Sequence, residues 1–193
     1  MAKLPADMGL FVSATDGQGR ITDSNLRTIR ELPQIPQSSM HSCQASDLGL
    51  FGINNNDFRI SRYELDGFTE AAHYEEEVED TYNGYDSMLL ANDMVFAVGY
   101  LEGAFSEDEI LCLDARTLTL RHKFGRGRFE GGSWGMAAVG DELYATDRAG
   151  NCIQIFSFNG EHLRNINGPF KEPERIVHIG GRIYLSSDFG NGH

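Results

Sequence analysis

No stretch of the sequence approaches the roughly 18 consecutive apolar residues that a bilayer-spanning helix needs. The opening MAKLPADMGLF lacks the apolar core of a secretory signal. Cysteine is scarce: Cys43, Cys112 and Cys152 make an odd count with no CxxC spacing, which excludes a disulfide framework and a Cys-based zinc site. They read as small buried strand residues, which fits a reducing, intracellular compartment. Basic residues are few, 16 Lys and Arg against 29 Asp and Glu, and the net charge is −13. Nucleic-acid affinity comes mostly from cations that neutralise phosphates, so that class of partner is disfavoured, as is an anionic membrane surface. Basic proteins or peptides, metal ions and neutral small molecules remain. Helical signal is absent too. The nearest candidate, Leu26–Leu32, reads as an outer strand once the rest of the chain is placed in register.

What is present is a repeat. LFGINNNDFRISRYELDG (50–67) and LYATDRAGNCIQIFSFNG (143–160) align without gaps. Phe51 then coincides with Tyr144, Ile60 with Ile153, Tyr63 with Phe156, Leu65 with Phe158, and Gly67 with Gly160. Similar openings place aromatic anchors at Phe11, Phe51, Phe96, Tyr144 and Tyr184, spaced 40, 45, 48 and 40 residues apart. Short apolar runs bounded by Gly, Asn and Asp are strand signals. A period of 40–50 residues built only from strands is the spacing of β-propeller blades. Asn159-Gly160 and Asp66-Gly67 are expected to form type I′ hairpin turns.

The segment LYATDRAGNCIQIFSFNGEHLRNIN resembles the NHL repeat: an aromatic-led strand, an Asp or Asn turn, then an apolar strand closing on Asn-Gly. The resemblance is best over 135–193 and 48–75 and is loose over 76–134, where LEGAFSEDE (101–109) enlarges a loop. It implies an all-β propeller of four-stranded antiparallel blades. These run over about 1–36, 40–75, 86–125 and 134–168, with a partial blade over 174–193. About four and a half blades are therefore expected, an incomplete ring and a fragment of a larger one.

Catalytic motifs fare poorly. Gly131-Gly132-Ser133-Trp134-Gly135 matches G-x-S-x-G, but the hydrolase elbow needs a preceding strand and a following helix. Asp188-Phe189-Gly190 stands without the other elements of a kinase. Six residues before each anchor lie Pro5, Ala45, Leu90, Ala138 and His178, so the three-His channel zinc of an NHL-like lyase is unsupported. Gluconolactonase-like rings hold calcium at the channel mouth with carboxylates and amides. By that resemblance Asp16, Asn54, Asp147 and Asp188 are the candidate ligands, and calcium the candidate cofactor. Turns use the same residue types for local backbone bonding. No catalytic residue is assigned.

In a four-stranded meander the loops between the second and third strands (b–c) share one face with the junctions between blades (d–a). That face would carry Arg126, Arg128, Phe129, Trp134, Arg148 and Asn55, types enriched at binding hot spots. The expected function is a non-enzymatic module that binds a protein or peptide, basic in character, on that face. The alternative is a metal-dependent propeller enzyme, a lactonase-like hydrolase or a lyase.

Overall fold

The computed structural model describes residues 8–12, 19–23, 28–31, 40–54, 59–66, 69–75, 84–100, 108–133 and 135–187, with side chains from 42 onward. All regular structure among them is β-strand. The first sheet holds β1 (Met8–Val12), β2 (Gly19–Asp23) and β3 (Thr28–Glu31). The second holds β4 (Met40–Ser46), β5 (Gly49–Asn54), β6 (Arg59–Tyr63) and β7 (Glu70–Glu75). The third holds β8 (Gly84–Ala91), β9 (Met94–Tyr100), β10 (Glu109–Asp114) and β11 (Leu120–Phe124). The fourth holds β12 (Met136–Val139), β13 (Glu142–Asp147), β14 (Cys152–Ser157) and β15 (His162–Asn167), and the last holds β16 (Pro173–Ile179) and β17 (Arg182–Ser187).

Each sheet is an antiparallel meander in chain order. From the second sheet onward, the first strands of successive sheets pack on one another, β4 on β8, β8 on β12, and β12 on β16. Meanders stacked through their inner strands are blades of a β-propeller. Three four-stranded sheets, one three-stranded and one two-stranded make about four and a half blades of an incomplete ring. We refer to the sheets as blades one to five and to their strands as a to d, from inner to outer.

The core is serial, one apolar layer per blade junction. Between blades two and three lie Phe51, Ile53, Ile60, Val95, Ala97, Leu111 and Leu113. Phe96, Val98, Ile110, Leu143, Ala145 and Phe156 fill the next junction, and Tyr144, Ile153, Ile155 and Ile176 the one after. Alternation explains the assignment. Side chains leave a strand on opposite faces in turn, so Phe96 serves the junction ahead while Val95 and Ala97 serve the one behind. A strand buried on both faces should be apolar along its middle, and β9 (MVFAVGY) and the ILCL centre of β10 are.

The turns correct one expectation. At Asn159-Gly160 only the glycine has positive φ, 86°, and the register of β14 shifts between Ile155 and Phe156. This is a glycine bulge turn, because a single left-handed residue closes it. Type I′ geometry falls on the a–b hairpins instead, at Asn92-Asp93 (φ 50° and 56°) and Gly180-Gly181 (59° and 74°). Gly67, in the second expected turn, lies outside the described residues.

Candidate functional site

The strap that leaves β11 and enters β12 builds one wall of the site. Gly125 and Gly127 take positive φ, 88° and 73°, and the Arg128 N–H donates to the Gly125 carbonyl at 3.0 Å. This tight turn drops Phe129 into the core, where it is 2 % exposed and lies 6.1 Å from the Phe156 ring. Phe129 therefore anchors the strap from beneath and is not presented on the surface. Arg126 and Arg128 stay exposed on the turn.

The b–c turn of blade four, Asp147 to Asn151, builds the second wall. Asp147 is fully buried and organises both walls. Its carboxylate accepts from the Glu130 N–H at 3.2 Å, the Gly150 N–H at 3.1 Å and Gln154 Nε2 at 3.0 Å. A carboxylate with several N–H donors is a satisfied buried charge. Gly150 is required beside it, since a Cβ there would lie 2.5 Å from Asp147 Oδ2. The two walls are then stitched together, Ala149 N–H to Gly131 carbonyl at 3.2 Å and Arg148 N–H to Gly132 carbonyl at 3.3 Å. The b–c turn and the d–a strap thus share one end of the blade stack.

The third wall is the next d–a junction, from β15 into β16. Glu172 holds a left-handed conformation (φ 44°) immediately before Pro173, a position that disfavours it sterically. It is held there from the b–c turn. The Glu172 N–H donates to Asn151 Oδ1 at 2.9 Å, and Arg148 Nη2 donates to Glu172 Oε2 at 3.0 Å. Arg148 Nε also lies 3.8 Å from Glu174 Oε1. Thr146 Oγ1 completes the joint by donating to the Glu174 carbonyl at 3.0 Å.

Between these walls opens a cleft of about 500 Å³, lined by Glu130, Gly131, Gly132, Arg148, Ala149, Asn151 and Glu172. That volume suits a small ligand or a few residues of a peptide. Two carboxylates and one guanidinium face it, and Arg148 is already paired with Glu172. With Glu130 and Glu172 against Arg148 alone, the lining carries a net negative charge, so the cleft is acidic. Burial, then the charges of Asp147 and Glu130, push the thiol of nearby Cys152 up to about 11, which favours its protonated form at neutral pH.

Of the residues expected on this face, the cleft takes Arg148, while Arg126, Arg128 and Phe129 belong to the strap beside it. Trp134, Asn55, Asp16 and Asp188 lie outside the described residues. Asn54 ends β5 and is buried in blade two, far along the chain from Asp147. No group of three or more His, Cys, Asp or Glu side chains placed to hold a metal occurs among the described residues. Ser133 is fully buried, and β12 follows it where an elbow would need a helix. His178 Nδ1 contacts the Ala138 carbonyl at 3.2 Å, joining two inner strands, which is a structural task. Glu130, Asn151 and Glu172 were missed because acidic and amide residues in loops carry no motif. The pre-proline position of Glu172 was the one local signal.

No protein-family model matches the chain, and no curated protein matches it. Solved structures do. The chain is similar to the computationally designed Ika8 protein, with a TM-score of 0.58 and 12% identity, over 95% of this chain and 66% of that one. It is similar to BamB from Moraxella catarrhalis, with a TM-score of 0.64 and 12% identity, over 100% of this chain and 57% of that one. The chain therefore spans less than two thirds of the length of either structure. BamB is a β-propeller, and at this identity the likeness establishes the fold alone: the chain is built as part of a propeller.

Proposed function

We propose that this chain is a non-enzymatic propeller module that binds a protein or peptide on the face formed by its b–c and d–a loops. The observation that carries the reading is the cleft itself, formed where one b–c turn meets two d–a junctions. Loops held by a rigid scaffold are where binding concentrates, and these are held by Asp147, Thr146 and Arg148. The cleft lining, with Glu130 and Glu172 against Arg148, and the net charge of −13 favour a basic partner.

Selection from a displayed random-peptide library tests this. Peptides enriched on the wild-type chain should be rich in Lys or Arg. They should bind Glu130→Arg about tenfold more weakly, a change of about 1.4 kcal/mol, and bind Glu161→Arg, on a remote turn, unchanged. Enriched peptides indifferent to both Glu130→Arg and Arg148→Glu would overturn the reading.

A further inference from the structure

Asp147, which sets both walls of the cleft, is reached from behind by a partly buried histidine. Gln154 and Phe156 leave β14 on one face. On that face β15 brings His162 opposite Phe156 and Asn165 opposite Gln154. The His162 ring stands edge-on to Phe156, with centroids 5.3 Å apart. Its Nε2 lies 2.9 Å from Gln154 Oε1 and 2.7 Å from Asn165 Oδ1. The buried Gln154 amide continues inward, its Nε2 donating to the Arg128 carbonyl and to the Asp147 carboxylate at 3.0 Å each. One line of polar contacts thus joins the outer strand to the buried carboxylate, and from there to the Glu130 and Gly150 N–H groups.

The donors in this line run one way only. A carboxylate and a carbonyl can only accept, so Gln154 must turn its two N–H groups to Asp147 and Arg128 and its oxygen to His162. That oxygen requires the proton on Nε2 of the imidazole, and Asn165 Oδ1 requires the same. An acceptor in place of the Nε2–H would repel the Gln154 oxygen and favour the flipped amide, which sets an oxygen against the Asp147 carboxylate. We propose that His162 is a positioning residue for the binding site, although it does not line the cleft. Its Nε2–H sets the Gln154 amide and, through Asp147, the two walls, so the outer strand of blade four governs the shape of the cleft. This role rests on the cleft function proposed above.

Hydrogen exchange of the Glu130 and Gly150 amides tests the relay in the 193-residue chain with no ligand added. His162→Gln can still donate, whereas His162→Glu has nearly the same shape and at neutral pH only accepts. Both lose the ring, so the pair isolates the donor. The two amides should exchange about fivefold faster in His162→Glu than in His162→Gln, with the amides of β9 equal in both. A library-selected basic peptide should bind His162→Glu about fivefold more weakly than His162→Gln, although the added negative charge alone would strengthen binding. Should His162→Glu lose its far-UV circular dichroism, His162→Ala, equally without a donor, takes its place. Equal exchange with and without the donor would overturn the relay and leave the cleft reading intact. Faster exchange with unchanged affinity, for a peptide that still weakens on Glu130→Arg, would overturn the positioning role. A peptide indifferent to both Glu130→Arg and Arg148→Glu would overturn the cleft reading instead, and with it the role of His162.

Discussion

The side-chain amide of Gln44 pairs with the backbone of Leu90 as a strand would, accepting its N–H at 2.7 Å. The same amide donates to the neighbouring Met88 carbonyl at 3.0 Å, which ties the inner strands of blades two and three. Gln44→Ala leaves a partly buried N–H and a carbonyl without partners, which costs about 1–3 kcal/mol. Gln44→Glu keeps the acceptor and loses the donor, so it should cost less. Urea unfolding midpoints at unchanged slope check the order wild type, Glu, Ala.

Asp147 is the hub of the cleft walls, and Asp147→Ala strands the Glu130 and Gly150 N–H groups and Gln154 Nε2. The expected loss is about 3 kcal/mol, since hydrogen bonds to a buried charge are the strong ones. Because protein donors already occupy the carboxylate, the melting temperature should not respond to calcium or to EDTA. A calcium-dependent rise abolished by Asp147→Ala would instead return the metal-dependent enzyme to consideration.

Asp114 gives the acid limb of stability a specific origin. Its hydrogen bond from Arg121 at 2.7 Å, then the N–H groups of Thr117 and Arg116, lower its pKa from 3.8 to about 2. The folded state thus favours the carboxylate. The stabilisation is complete above 3.8 and is lost as the pH falls through about 2. The melting-temperature gap between wild type and Asp114→Asn should be steady near neutrality and close across that window. A gap that widens on acidification contradicts the assignment.

Burial raises the thiols of Cys43, Cys112 and Cys152 to about 11 each. At neutral pH they are protonated, so a thiolate-selective reagent should label the native chain slowly and all three sites only after unfolding. Rapid native labelling at Cys112 or Cys152, which are buried, would show that blades three and four open locally.

The propeller was legible because its signal is periodic: Phe51, Phe96 and Tyr144 occupy the second strand of successive blades. The outer strand β3 was legible for the same reason, despite a local pattern that hinted at helix. Turn types were not, since Asn159-Gly160 is chosen by the register of the strands it joins as much as by its own residues. The site was half legible. Topology fixed which loops share a face, and Arg148 followed. Phe129 was placed on that face by residue type, yet the positive φ of Gly125 and Gly127 turns it inward. Glu130 and Glu172 matter only because folding brings them across one cleft, a relation that no local pattern encodes.

The most direct test of the central claim is amide chemical-shift mapping of the labelled chain with one library-selected basic peptide. The account predicts shifts concentrated at Glu130–Gly132, Arg148–Asn151 and Glu172, which line the cleft. Shifts confined to the opposite end of the blades, at the a–b turns Asn92-Asp93 and Gly180-Gly181, would contradict it.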